Sequence, residues 1–199
     1  MNSRQLKDLL YEQVARVGKA MASPKRLELL ELLAQGEKSV ETLAVLVAID
    51  VKLASAHLKA LREARLVESR RDGKRMFYRL TGPDVARLGV GLRDVAEEHL
   101  VELQMALRQM MAEPERLTSL DRKTLLTQAG RGEVVVLDVR PSDEYAAAHL
   151  PHARSIPLGE LKQRLSELPR NVTIVAYCRG PFCLMSDEAV AVLTQHGFR

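Results

Sequence analysis

Both cysteines of this 199-residue chain fall in one short stretch, 174-IVAYCRGPFCLMSDEA-189, as Cys178 and Cys183. Two cysteines this close could form a disulfide staple, supply two metal ligands, or pair a reactive nucleophile with a helper. No apolar run approaches the roughly 18 residues of a membrane span, and MNSRQLKDLL lacks a signal-peptide core. That pattern predicts a cytoplasmic protein without membrane contact, where the thiol pool disfavours a purely structural disulfide. A zinc site would need two further donors, and none is evident near the pair. A nucleophile needs least from the rest of the chain: a backbone that turns its amides toward the sulfur and so favours the thiolate.

The neighbouring sequence supplies that backbone. TIVAYC (173–178) reads as a buried strand, SDEAVAVLTQHG (186–197) as a helix closed by Gly197, and RGPFCLM as the turn between them. Upstream, VVVLDV (134–139) is a continuous β-branched run suited to a strand buried on both faces, and PSDEYAAAHL is helix-like. Strand–helix–strand–helix implies a small α/β unit with a parallel sheet, whose ligands gather at the carboxyl ends of the strands. Cys178 sits at such an end.

A second candidate site lies in the first half. Net charge is only +4, yet residues 51–80 carry nine Lys/Arg against three acids, an excess able to attract a polyanion. SPKRLELLELLAQG predicts a helix with Ser23 as N-cap, Pro24 at its first position and Gly36 as its stop. A short helix over about 39–47 opens on Ser39. Asp50 caps a third over about 51–65, with Leu53, Ala54, Leu58 and Leu61 on one face. LVESRRDGKRMFYRLT then reads as a hairpin around Asp72–Gly73. Helix, short helix, helix and basic hairpin is the order of a winged helix-turn-helix. Its second helix enters the major groove and its wing follows the backbone. The expected DNA contacts are Lys52, Ser55, His57 and Lys59 on the helix and Arg70, Arg71, Lys74 and Arg75 on the wing. An apolar-periodic stretch over 84–113 predicts one long helix for pairing with a second subunit, and Pro114 ends it.

ASAHLKALREARLVESRRDGKRMFYRL (54–80), with SPKRLELLELLAQGEKSVETLA upstream, resembles the ArsR/SmtB family of winged-helix repressors over about residues 15–85. The resemblance implies a symmetric dimer held by residues 4–17 and 84–113, reading an inverted repeat in double-stranded DNA. Metal-sensing relatives carry Cys-Val-Cys before the recognition helix, or paired Asp/His positions on the last helix. Here ETLAVLVAID has no cysteine, and Asp84, His99 and Glu102 make only part of such a set. No metal or cofactor is expected.

LDVRPSDEYAAAHLPHARSIPL (137–158) and the strand-end Tyr177–Cys178–Arg179 resemble a rhodanese domain, with Ala148 and His152 where two glycines are usual. The resemblance implies that Cys178 takes a sulfane sulfur and holds it as a persulfide. Asp138, Arg140, Arg179, Gly180 and Cys183 complete the expected site, and small sulfur species such as thiosulfate or polysulfide are the expected ligands. Cysteine phosphatases of this fold place an arginine six positions after the cysteine, where this chain has Leu184. Cys183 is either a small packing residue or a thiol that resolves Cys178. Rhodanese domains ordinarily continue past His196–Gly197–Phe198 with a strand and a closing helix, so the resemblance implies a truncated or shortened form.

The expected organisation is therefore two domains. A mainly-α winged helix-turn-helix domain for DNA binding and dimerisation spans 1–113, a linker 114–120, and a small α/β rhodanese-like domain with a parallel sheet 121–199. The expected function is a DNA-binding transcriptional regulator, a repressor, whose second domain senses or handles sulfur or redox state through Cys178. The alternative is a sulfurtransferase fused to a DNA-binding domain.

Overall fold

A computed structural model describes residues 2–110 and 121–198. The chain divides into two compact units between Ala96 and Glu97. The linker expected at 114–120 and the domain end expected at 113 lie outside the described residues.

The first unit opens with α1 (Ser3–Met21) and α2 (Pro24–Ala34). Ser23 is the N-cap of α2 by position, but its side chain makes no capping hydrogen bond. β1 (Lys38–Ser39) follows, a two-residue strand that sequence periodicity is too short to signal. α3 (Val40–Leu46) and α4 (Val51–Glu63) begin as expected: the Ser39 hydroxyl accepts from the Thr42 N–H, and the Asp50 carboxylate from the Leu53 N–H at 2.8 Å. The turn between them holds Ala48 at φ +53, a left-handed backbone position. Leu29, Leu43, Val47, Ala54, Leu58 and Leu61 lock the three helices into one core. Leu53, expected on that buried face, is 43% exposed. At 100° per residue it stands well round the helix from Ala54 and Leu58.

β2 (Val67–Asp72) and β3 (Arg75–Leu80) form the wing, and β1 pairs on the other side of β3 to give the order β1-β3-β2. The last pair is Asp72 with Arg75, so the two turn residues are Gly73 and Lys74, one position beyond the expected Asp72–Gly73. Gly73 supplies the positive φ, +59, that a two-residue hairpin needs at its first central position.

The long helix expected over 84–113 is two: α5 (Pro83–His99) and α6 (Val101–Met110), broken at Leu100. The Gln104 side chain turns back to donate to the carbonyls of Glu97 (2.8 Å) and Glu98 (3.2 Å), satisfying acceptors that the break leaves open.

After α6, the second unit contains α7 (Arg122–Gly130), β4 (Val134–Asp138), α8 (Ser142–Ala147), β5 (Arg154–Ser155), α9 (Leu158–Arg164), β6 (Thr173–Tyr177) and α10 (Met185–Gln195). Its sheet is parallel in the order β5-β4-β6, with every residue of β4 buried. Leu137, Val139, Leu161, Ile174, Ala189 and Leu193 fill one face, while Val136 packs with Ala153 on the other. Pairing of Asp138 with Tyr177 brings the carboxyl ends of β4 and β6 to one edge, and Cys178 is the next residue along. His152, at a usual glycine position of the rhodanese pattern, adopts the left-handed backbone there, φ +65.

Candidate functional site

Buried β6 fixes where Cys178 begins, and the N-terminus of α10 fixes where the following loop must end. Between them Gly180 takes φ +156, and the Cys183 N–H donates to the Gly180 carbonyl at 3.0 Å. The turn folds Cys183 and Ser186 back over the first cysteine. The Cys178 sulfur lies 3.3 Å from the Ser186 hydroxyl and 3.3 Å from the Cys183 carbonyl oxygen.

A hydrogen bond from the Cys183 thiol holds the Cys178 thiol well below the ordinary range, at about 5. Burial works against it, and the Ser186 hydroxyl with the N–H groups of Ser186 and Gly180 adds to it. The Cys183 carbonyl favours the protonated thiol, since an S–H can donate to it and a thiolate cannot, but the donors outweigh it. Cys183 moves the opposite way: its hydrogen bond to Cys178 and its own burial push it up. At neutral pH the loop thus holds one thiolate and one thiol, the first a nucleophile and the second its hydrogen-bond donor. Both cysteines are unbridged and half-buried. Ser186 lies outside the set of residues that the sequence points to, and its only sequence signal is its place in the first turn of the helix after the loop.

The remaining expected residues form a neighbouring buried frame. Asp138, fully buried, accepts from the Arg140 backbone N–H and guanidinium (2.6–3.2 Å) and from the Tyr177 hydroxyl at 2.5 Å. Arg140 also donates to the Ala148 carbonyl at 2.8 Å, and the Tyr177 oxygen accepts from the Leu150 N–H at 3.2 Å. Burial, then the bond to Asp138, pushes the Tyr177 phenol up to about 12, so it stays a donor. Arg179 pairs with the fully buried Glu144 at 2.7 Å. Glu144, part of the matched rhodanese pattern, is thereby the anchor of the loop's first residue. The structure gathers Cys178, Gly180 and Cys183 at one point, while Asp138, Arg140 and Arg179 brace the strand ends around it.

In the first unit Lys52 and Lys59 are exposed on α4, Ser55 and His57 half-buried. The Ser55 hydroxyl donates to the Val51 carbonyl at 2.8 Å, which leaves its oxygen able to accept. Lys74 and Arg75 are exposed at the wing tip, and Arg71 donates to the Gly73 carbonyl there. Arg70 stands apart from them. It bonds Glu37 (2.5–2.9 Å) and Asp72 (3.2 Å) and lies over the Phe77 ring at 4.8 Å, tying the wing to the segment before β1.

These features define a winged helix-turn-helix unit joined to an α/β unit with a cysteine loop at its sheet edge. Comparison with known proteins agrees with both parts. Residues 23–69 match the bacterial regulatory protein, arsR family, and residues 121–199 match the rhodanese-like domain. The HTH-type transcriptional regulator Rv0324 of Mycobacterium tuberculosis is 46% identical over 191 residues, covering 96% of this chain and 84% of that one. A biofilm growth-associated repressor of Agrobacterium fabrum is 45% identical over 76 residues, 38% of this chain and 65% of that one. The solution structure of the homodimeric winged helix-turn-helix DNA-binding domain Mb0332 from Mycobacterium bovis is 49% identical. It covers 51% of this chain and 93% of that one, with a TM-score of 0.47. The chain belongs to the arsR family of bacterial regulators, in a form that carries a C-terminal rhodanese-like domain, and it is a DNA-binding transcriptional regulator.

Proposed function

We propose that the protein is a cytoplasmic homodimeric repressor of an inverted-repeat operator, and that its Cys178 loop takes up sulfane sulfur and reports it to the DNA-binding unit. Dimerisation is supported by the exposed apolar rows of α1 (Leu6, Leu10, Val14) and α5 (Leu88, Leu92, Val95), which a monomer would leave in water. In this reading Lys52, Ser55, His57 and Lys59 face the major groove, and Arg71, Lys74 and Arg75 meet phosphates beside it. Arg70, already paired, shapes the wing and contacts DNA only by exchanging Glu37 for phosphate. The observation that carries the sulfur reading is the turn that folds Cys183 and Ser186 back over Cys178, with the Ser186 hydroxyl 3.3 Å from its sulfur, a setting that favours the thiolate. Intact-mass measurement after polysulfide treatment tests it. The expected result is a gain of about 32 Da, one sulfur, on Cys178 and none in Cys178→Ser. An unchanged wild-type mass overturns the reading.

The sulfurtransferase reading shares this thiolate and differs in the fate of the sulfur. It is favoured by the role of Cys183 in the resting loop, where its thiol serves as a hydrogen-bond donor to Cys178 and is held protonated rather than as a nucleophile. Thiosulfate:cyanide turnover by the full chain, lost in Cys178→Ala, would support it.

A further inference from the structure

The loop from Cys178 to Met185 contains one cation, Arg179. Its guanidinium grips both carboxylate oxygens of Glu144, at 2.7–3.2 Å, and its side chain is only 13% exposed. Arg140, the other arginine of this sheet edge, is 7% exposed and pairs with Asp138. Each positive charge is thus balanced by a fully buried carboxylate. The amides of Gly180 and Ser186 already serve the thiolate. A dianionic donor meeting that thiolate brings like charges together, a repulsion that grows as the site is withdrawn from water. Both arginines are committed to carboxylates, so neither brings an uncompensated positive charge to that repulsion. What the loop does present outward is apolar: Phe182, 42% exposed, and Leu184, 47% exposed, on either side of Cys183.

We infer that this loop takes its sulfur from low-molecular-weight organic persulfides with an apolar, uncharged body, in preference to oxyanion donors such as thiosulfate; the inference rests on the sulfur-handling reading of Cys178 given above. In the step, the Cys178 thiolate attacks the outer sulfur of R–S–SH. A new S–S bond forms to Cys178, the donor's S–S bond breaks, and R–S⁻ leaves with the electron pair. The proton stays on the transferred sulfur, giving Cys178–S–SH. Two thiolates exchange one sulfane sulfur, so no outside oxidant or reductant enters. Phe182 and Leu184 offer the R group a surface out of water.

The test uses the full chain and three donors: thiosulfate, ethyl persulfide and benzyl persulfide, the persulfides generated in situ. The rate at which Cys178 gains about 32 Da is followed by intact mass. Wild type is expected to react about tenfold faster with benzyl than with ethyl persulfide, as burial of part of a ring predicts. Phe182→Ala should remove most of that preference, and Phe182→Lys should raise the thiosulfate rate severalfold by adding a cation at the rim. Phe182 is exposed, so neither variant disturbs the core. A wild type that reacts as fast with thiosulfate as with benzyl persulfide, or a benzyl preference unchanged in Phe182→Ala, overturns the inference while leaving Cys178 a sulfur acceptor. No mass gain with any donor, from a Cys178 that still alkylates with iodoacetamide, overturns the sulfur reading and the inference with it.

Discussion

The wing and the cysteine loop both depend on arginine, and they set it in opposite surroundings. At the wing, Arg71, Lys74 and Arg75 stand in water around a Gly73 turn. At the sheet edge, Arg140 and Arg179 are withdrawn into pairs with Asp138 and Glu144, both fully buried. An exposed cation contributes little to folding but displaces counterions when it meets a phosphate. A buried one contributes by being matched, and becomes a liability when its partner is removed. The same residue type therefore serves recognition in one unit and backbone geometry in the other.

Breaking the buried half of this contrast should cost most. Glu144→Gln removes the fully buried carboxylate that the Arg179 guanidinium grips and is expected to destabilise the second unit by about 3–5 kcal/mol in urea melts followed by circular dichroism. A cost under about 1 kcal/mol, the range of exposed pairs, would erase the distinction. The exposed half is tested through salt. Lys74→Ala combined with Arg75→Ala should lower the slope of log affinity against log salt by about 0.9 for each phosphate no longer neutralised, with the melt unchanged. An unchanged slope would take the wing tip out of the interface.

A smaller effect probes the loop's charge directly. The rate of Cys178 alkylation by iodoacetamide should rise with pH through about 5 as the thiol ionises, then stay level across the neutral range. Cys183→Ala and Ser186→Ala each remove a donor to the thiolate, so each midpoint moves upward. Cys183→Ala moves it further, because its hydrogen bond is the largest cause of the depression. A wild-type midpoint in the ordinary thiol range would leave the loop with no more claim to nucleophilic chemistry than any half-buried cysteine.

Local signals carry much of the fold. Ser39 and Asp50 announce their helices because a capping side chain bonds an N–H two or three residues away, a relation visible in the sequence. The apolar run of β4 is legible for a similar reason, since burial on both faces leaves no polar position in it before the terminal Asp138. What is not legible depends on partners distant in the chain. β1 exists because Lys38 and Ser39 meet Tyr78 and Phe77 of β3. The break at Leu100 is satisfied by a side chain four residues on, which periodicity alone cannot register. At the site, the strand-end cysteine and its loop can be read from the order of elements. The commitment of Arg179 to Glu144 spans 35 residues and needs the folded backbone. Ser186 is hidden because a serine opening a helix looks the same whether or not a thiolate lies beside it.

If sulfur at Cys178 alters DNA occupancy, a hundredfold change requires about 2.7 kcal/mol of coupling between the units. The decisive measurement is operator affinity with and without polysulfide, for wild type and for Cys178→Ser. A large shift is expected for wild type alone, with Cys178→Ser holding one affinity in both conditions. Equal affinities in all four states would mean that the two units are not coupled through this cysteine.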